Sequence, residues 1–296
     1  MGDNMQSILQ VTNLIKYYNK VKAVDGISFE LFEGEVFGFI GPNGAGKSTT
    51  IKSIMNLVNK NDGEILFNGS VLEKDNINQK KLIGYLPSEV NLYDDMTIKQ
   101  LFDYHQKFYP ENEGIAQKRK YLTQKLVIDE NKKIDDLSLG NLKKAGIVLA
   151  FMHSPKLVIL DEPTSGLDPI IQREFFDIIK EEKSKGTTIL YSTHILSEVS
   201  RLCDRATIIK NGKLVVTENI EDLKQKNLVF VKITSPQCDI IKQKINGKIL
   251  LCENNNLTFI WKNDATHLID LLSGVNITKL IIEEPSLDEL FMHYYK

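Results

Sequence analysis

The run Gly41-Pro42-Asn43-Gly44-Ala45-Gly46-Lys47-Ser48-Thr49 limits what this chain can fold into more than any other stretch. It fits the pattern G-x-x-x-x-G-K-[ST], and its flanks supply the required setting. Ahead of it, Glu35-Val36-Phe37-Gly38-Phe39-Ile40 is short, apolar and rich in aromatics, as a buried parallel strand is. Behind it, Ile51, Ile54, Met55 and Val58 recur at helical spacing. A strand, a glycine-rich turn and a helix together make a phosphate-binding loop. Glycines let backbone N–H groups approach an anion, and the helix start adds unpaired donors and partial positive charge. Lys47 is placed to reach the β- and γ-phosphates of a nucleotide, and the Ser48 hydroxyl to ligate magnesium.

A chain of 296 residues has room for one large domain, or for one with a smaller companion. Its net charge of −2 leaves no basic excess to neutralise a phosphate backbone, so nucleic acid is not expected as the main partner. Cys203, Cys238 and Cys252 are odd in number and lack metal-ligand spacing, which suits reduced, buried or half-buried thiols. No apolar run approaches the roughly twenty residues of a membrane span. Met1 to Met5 show neither region of a secretory signal. A role at a membrane would therefore need another chain to cross the bilayer.

Along the chain, Ile8 to Leu14 alternates like an edge strand, Lys16 to Asn19 reads as a turn, and Ala23 to Phe32 as a second strand. Tyr18, just ahead of the loop, can stack on a purine base or pack on the sheet surface. Gly63–Gly69 and Ile83–Pro87 are strands. Residues 92–153 read as a mainly helical insertion, with a capping box opening at Thr97. A turn at Asp136–Asn141 leads into an apolar helix from Leu142 to Met152. Next, Leu157-Val158-Ile159-Leu160 runs into Asp161 and Glu162, placing two carboxylates at a strand's carboxyl end, where parallel α/β sheets bind ligands. Asp161 is positioned for magnesium, and Glu162 to take a proton from attacking water. After a helix from Pro169 to Lys185, the strand Thr187–Ser192 leads to His194. This is the one histidine of five at the carboxyl end of a predicted strand. His105, His153 and His267 fall in or beside predicted helices, as does His293, and read as structural or solvated. Asn211-Gly212 marks a hairpin. Beyond a short polar helix at Glu221–Lys226, strands and helices alternate as βαββαβ, a split βαβ arrangement, before a last amphipathic helix from Ser286 to Tyr295. The expected division is a nucleotide-binding domain at 1–225 and a small α+β domain at 226–296.

Five pieces in fixed order, Gly41–Thr49, Leu137–Asn141, Leu157–Glu162, Ser165-Gly166-Leu167-Asp168 and His194, closely resemble the ATP-binding-cassette ATPases. The stretch Glu283–Phe291 resembles, more weakly, the branch serving bacterial drug and antibiotic-peptide efflux. The resemblance implies an α/β P-loop NTPase cassette: a RecA-like core, an antiparallel β subdomain, a helical subdomain and a C-terminal α+β domain. It implies an ATPase using ATP and Mg2+ as the motor of an exporter, on the cytoplasmic face of the membrane. Its partners would be a second cassette and a transmembrane permease, the latter received near Leu86–Met96. Tyr18 would stack on adenine, and Gly41 to Thr49 would cradle the phosphates. Ser48, Asp161 and the position of Ser88 would serve the metal. Glu162 would be the general base, and His194 would contact the γ-phosphate. Ser138 and Gly140 would grip the γ-phosphate of ATP held by the other copy, and Asp168 would link the two sites. Two departures stand out. Leu139 and Asn141 replace the usual glycine and glutamine of the signature, and Ser88 stands where the family presents glutamine, with Glu89 beside it. A soluble non-transport ABC ATPase and a weakly hydrolysing ATP-binding switch are the alternative readings.

Overall fold

In chain order the larger part of the molecule forms β1 (Ser7–Tyr18), β2 (Val21–Phe32), β3 (Val36–Ile40), α1 (Lys47–Ile54), β4 (Asp62–Phe67), β5 (Ser70–Val71), α2 (Ile77–Lys80) and β6 (Ile83–Leu86). It continues with α3 (Ile98–Gln106), α4 (Ile115–Lys125), α5 (Leu139–Phe151), β7 (Leu157–Asp161), α6 (Pro169–Ser184), β8 (Thr188–Thr193), α7 (Leu196–Leu202), β9 (Arg205–Lys210) and β10 (Lys213–Asn219). The computed structural model describes residues 6–225, 229–245, 249–261 and 265–283. The chain divides into two units, residues 1–218 and 219–296.

Every residue of β3, β7 and β8 is buried, which is why these short segments are apolar throughout and do not alternate. They lie in a six-stranded sheet of order β10-β9-β3-β8-β7-β6. All pairings from β6 across to β9 are parallel, and β9 turns into β10 at Asn211-Gly212 with both residues at positive φ. Inserting β8 between β3 and β7 has a direct consequence. The carboxyl ends of three strands far apart in sequence meet at one edge, carrying Gly41, Glu162 and His194. A second, antiparallel sheet of order β2-β1-β4-β5 packs on this one. Phe29 of β2 stacks on Phe37 of β3 with ring centroids 5.9 Å apart and meets Phe39 at 5.3 Å. Both strands belong to one continuous apolar core.

Three expectations are corrected here. The first strand is no edge: β1 lies between β2 and β4. It also continues through Lys16 and Tyr17 to Tyr18, so the reversal comes later, at Asn19-Lys20. Register shifts along the β1–β2 pair, with Asn13 at φ 49°, break the alternation, and this made the strand look shorter. Finally, the apolar helix starts at Leu139 and not Leu142. Ser138 caps it, its hydroxyl accepting from the Asn141 N–H at 3.4 Å. The capping box at Thr97 and Gln100 forms as expected. So do free cysteines at 203, 238 and 252, two of them buried.

The second unit opens with α8 (Ile220–Gln225), followed by β11 (Val229–Thr234), α9 (Cys238–Lys244), β12 (Ile249–Glu253), β13 (Asn256–Trp261), α10 (Ala265–Leu272) and β14 (Lys279–Glu283). Its sheet order is β12-β13-β11-β14, with β11 antiparallel to both neighbours. This is the split βαβ arrangement. Val231, Ile233, Phe259 and Trp261 form one face of its core, against Ile241 of α9 and Leu268 of α10. The expected last helix, Ser286 to Tyr295, and most of the stretch Glu283–Phe291 lie outside the described residues.

Candidate active site

The turn after β3 is shaped by steric necessity at Gly46. Its φ is 111°, and a Cβ there would sit 2.5 Å from the Ala23 carbonyl oxygen. Only glycine fits, and the turn delivers the chain into α1 with no side chain capping its first N–H groups. Asn43, Gly44, Gly46, Lys47, Ser48 and Thr49 line an open cleft of about 430 Å³ with Ala23, Ser88, Glu89, Glu162 and Ser165. Gly41 and Pro42 act through their carbonyls, and buried Ala45 accepts from the Gly212 N–H at 2.9 Å.

Lys47 is 4% exposed, and its ammonium donates to the carbonyl oxygens of Gly41 at 2.7 Å and Pro42 at 3.2 Å. It also pairs with Glu162 Oε1 at 3.1 Å, and the same oxygen lies 3.4 Å from Nδ1 of His194. The proposed general base, the phosphate-loop lysine and the histidine thus form one contiguous group. Burial on its own would raise the Glu162 carboxyl. The hydrogen bond and charge of Lys47, helped by His194, outweigh that and hold it below the ordinary carboxylate value. Glu162 also adopts φ 47°, a left-handed conformation costly for a residue with a Cβ. Asp161, fully buried, accepts from the Ser192 hydroxyl at 3.0 Å through Oδ1, while Oδ2 has no hydrogen-bond partner.

Two buried charged side chains close to this group were not singled out from the sequence. Glu198 of α7 accepts three hydroxyl hydrogen bonds: Thr164 at 2.7 Å, Tyr191 at 3.0 Å and Thr193 at 2.7 Å. It therefore fastens the segment after Glu162 and the strand end before His194 to one carboxylate. The available signal was a glutamate four residues after His194 opening a helix, so that the two lie close in the chain. Lys143 of α5 donates to the carbonyl oxygens of Pro87 at 3.1 Å and Ser88 at 2.9 Å. Burial lowers its ammonium to about 8, while the charges of Asp161 and Glu162 pull the other way. A lysine inside an apolar helix was the only hint of it.

The ABC transporter profile matches residues 24–165. An uncharacterized ABC transporter ATP-binding protein of Methanocaldococcus jannaschii is 41% identical over 95% of this chain and 100% of its own length. The chain belongs to the ABC transporter ATP-binding proteins. The linearmycin resistance ATP-binding protein of Bacillus subtilis is 33% identical, covering 97% of both chains. A solved ATP-binding subunit of an ABC transporter superposes with a TM-score of 0.69 at 31% identity, covering 74% of this chain and 92% of that one. This ABC subunit is an ATPase, and the fold is the P-loop cassette anticipated from the motifs.

The remaining expected residues of this ABC subunit sit apart from the cleft. Tyr18 ends β1, 45% exposed, with the Lys16 ammonium 4.9 Å from its ring centre. Ser138 and Gly140 open α5, and a Cβ on Gly140 would meet the Gly166 carbonyl oxygen at 2.8 Å. That contact presses the signature against the loop holding Ser165 to Asp168. Asp168 caps α6, its carboxylate accepting from the N–H groups of Ile170 and Ile171, both at 3.0 Å. His153, expected to be structural or solvated, is buried beneath Tyr109 with ring centroids 4.4 Å apart. As for magnesium, the donor set suits it: a hard cation takes oxygen ligands, and the orphaned buried Oδ2 of Asp161 is a carboxylate oxygen awaiting a partner. No helix among the described residues is long and apolar enough to cross a membrane.

Proposed function

We propose that two copies of this chain close head to tail on two ATP molecules, and that hydrolysis drives export through a separate membrane-spanning subunit. The observation carrying this reading is the contiguous group of Lys47, Glu162 and His194 at the edge where three strands end. Lys47 exchanges its bond to Glu162 for the β- and γ-phosphates, and Glu162, freed as an ionised base, accepts a proton from the attacking water. His194 contacts and orients the γ-phosphate. The N–H groups of α1 and of the preceding turn carry the remaining phosphate charge. Such chemistry depends on positioning and on charge stabilisation more than on covalent catalysis.

Ser48, Asp161 and, through water, Ser88 are the groups that would hold Mg2+, which neutralises phosphate charge when bound. Tyr18 serves as the adenine platform. Ser138 and Gly140 act on the ATP of the second copy, and Asp168 keeps the segment between the two sites in place. The chain reaches the cytoplasmic face of the membrane through the permease, which seats on residues 86–96 and the helical insertion. The second unit, 219–296, stabilises the pair of cassettes. The resistance function named for the Bacillus relative points to antibiotic-like cargo. Glu162→Gln tests the reading: it should bind ATP, form a lasting dimer and scarcely turn over. Near-normal phosphate release by that variant would remove Glu162 from its role.

A further inference from the structure

The inner face of α5 holds an unexpected charge. Lys143 is 3% exposed, and its ammonium bonds only to backbone, the carbonyls of Pro87 and Ser88. The same face presses against β6 and the segment beyond it. A Cβ on Gly146 would lie 2.8 Å from a Leu86 methyl and 3.2 Å from a Val90 methyl. Farther along, the Ala150 carbonyl oxygen occupies the place a Cβ on Gly84 would take. Positions 143, 146 and 150 follow one helical stripe, so α5 and residues 84–90 are fitted together over two turns. Packing alone would be served by an unbranched apolar side chain at 143. Burying an ammonium costs several kcal/mol unless it is well bonded, so its presence asks for a reason.

We propose that Lys143 is a positioning residue that fastens the Ser88 segment to α5, so that displacement of residues 86–96 is delivered to Ser138 and Gly140. This rests on the reading above, in which that segment receives the membrane subunit and the start of α5 grips the second copy's ATP. Because the bonds go to backbone carbonyls, they hold whatever side chain stands at 88. Here they keep the short Ser88 side chain at the wall of the cleft.

The test is hydrogen exchange on the full chain in a Glu162→Gln background, with and without Mg-ATP. With Lys143 present, ATP should protect residues 138–142 and 87–92 together. With Lys143→Met, protection should remain at 138–142 and vanish at 87–92. Lys143→Arg, which keeps a cation and two donors, should restore it. In the hydrolysing protein, Lys143→Met should lower kcat about tenfold to a hundredfold with KM within about twofold, the scale of a small misplacement. Lys143→Leu, which also lacks a donor, should show the same uncoupling if the methionine variant fails to fold. Joint protection surviving in Lys143→Met or Lys143→Leu overturns the proposal. So does exchange that rises along all of α5 regardless of nucleotide, since that is mere destabilisation. Absence of any ATP-dependent protection at 138–142 with Lys143 intact sinks the head-to-tail reading itself, and the proposal with it.

Discussion

Two helix starts in this molecule suit a phosphate, and they are built differently. The start of α1 lies in the wall of a cleft, uncapped by any side chain, with a buried lysine and a glutamate already gathered beside it. The start of α5 is capped by its own Ser138 and faces outward, with Leu139 81% exposed. One gathers its groups within a single chain. The other is half a site, offering a hydroxyl, backbone N–H groups and an exposed apolar side chain. Building the second onto Gly166 through Gly140 makes it rigid without enclosing it. The difference fits the proposed division, in which a lone subunit supplies the first set of phosphate contacts and the second set waits for another copy.

The contrast can be broken at several points. The largest effect belongs to Glu162→Gln, which should lower kcat by about a hundredfold to ten-thousandfold, the contribution of a placed general base. ATP affinity should stay near wild type, and steady-state phosphate release checks both. Lys47→Ala should weaken ATP binding to the isolated chain by about a hundredfold, the scale of losing a desolvated charge pair, read by equilibrium titration. Ser138→Asp keeps a capping carboxylate but sets a negative charge where the second copy's γ-phosphate would approach. It should leave ATP affinity of the isolated chain within about twofold while cutting ATP-dependent dimerisation at least about tenfold, measured by sedimentation. Smallest of all, Leu139→Ala should shift unfolding by no more than about 0.5 kcal/mol in denaturant melts, as expected of an exposed residue.

The site at α1 was far more legible in the sequence than the half-site at α5. Gly41 to Thr49 is contiguous, and its strand and helix flank it directly, so local pattern and tertiary role coincide. Asp161 and Glu162 could be placed because four apolar residues precede them. The start of α5 misled because Gly140 reads as a turn, whereas Ser138 caps a helix already running through it. The first strand misled because bulges at Asn13 and beyond interrupt its alternation. Lys143 and Glu198 left only faint signals for another reason: the carbonyls of Pro87 and Ser88 and the Thr164 hydroxyl are tens of residues away, and only the packed sheet and helices bring them near.

The central claim is that Lys47 of one chain and Ser138 of another grip the same ATP. It is tested by mixing a Lys47→Ala chain with a Ser138→Asp chain, both carrying Glu162→Gln, and counting ATP retained per mixed dimer. If the contacts lie in trans, both lesions fall on one site and the other is intact, so the mixed dimer should retain half the ATP of the parent Glu162→Gln dimer. Retention of none, with each lesion disabling its own chain's site, would contradict the account.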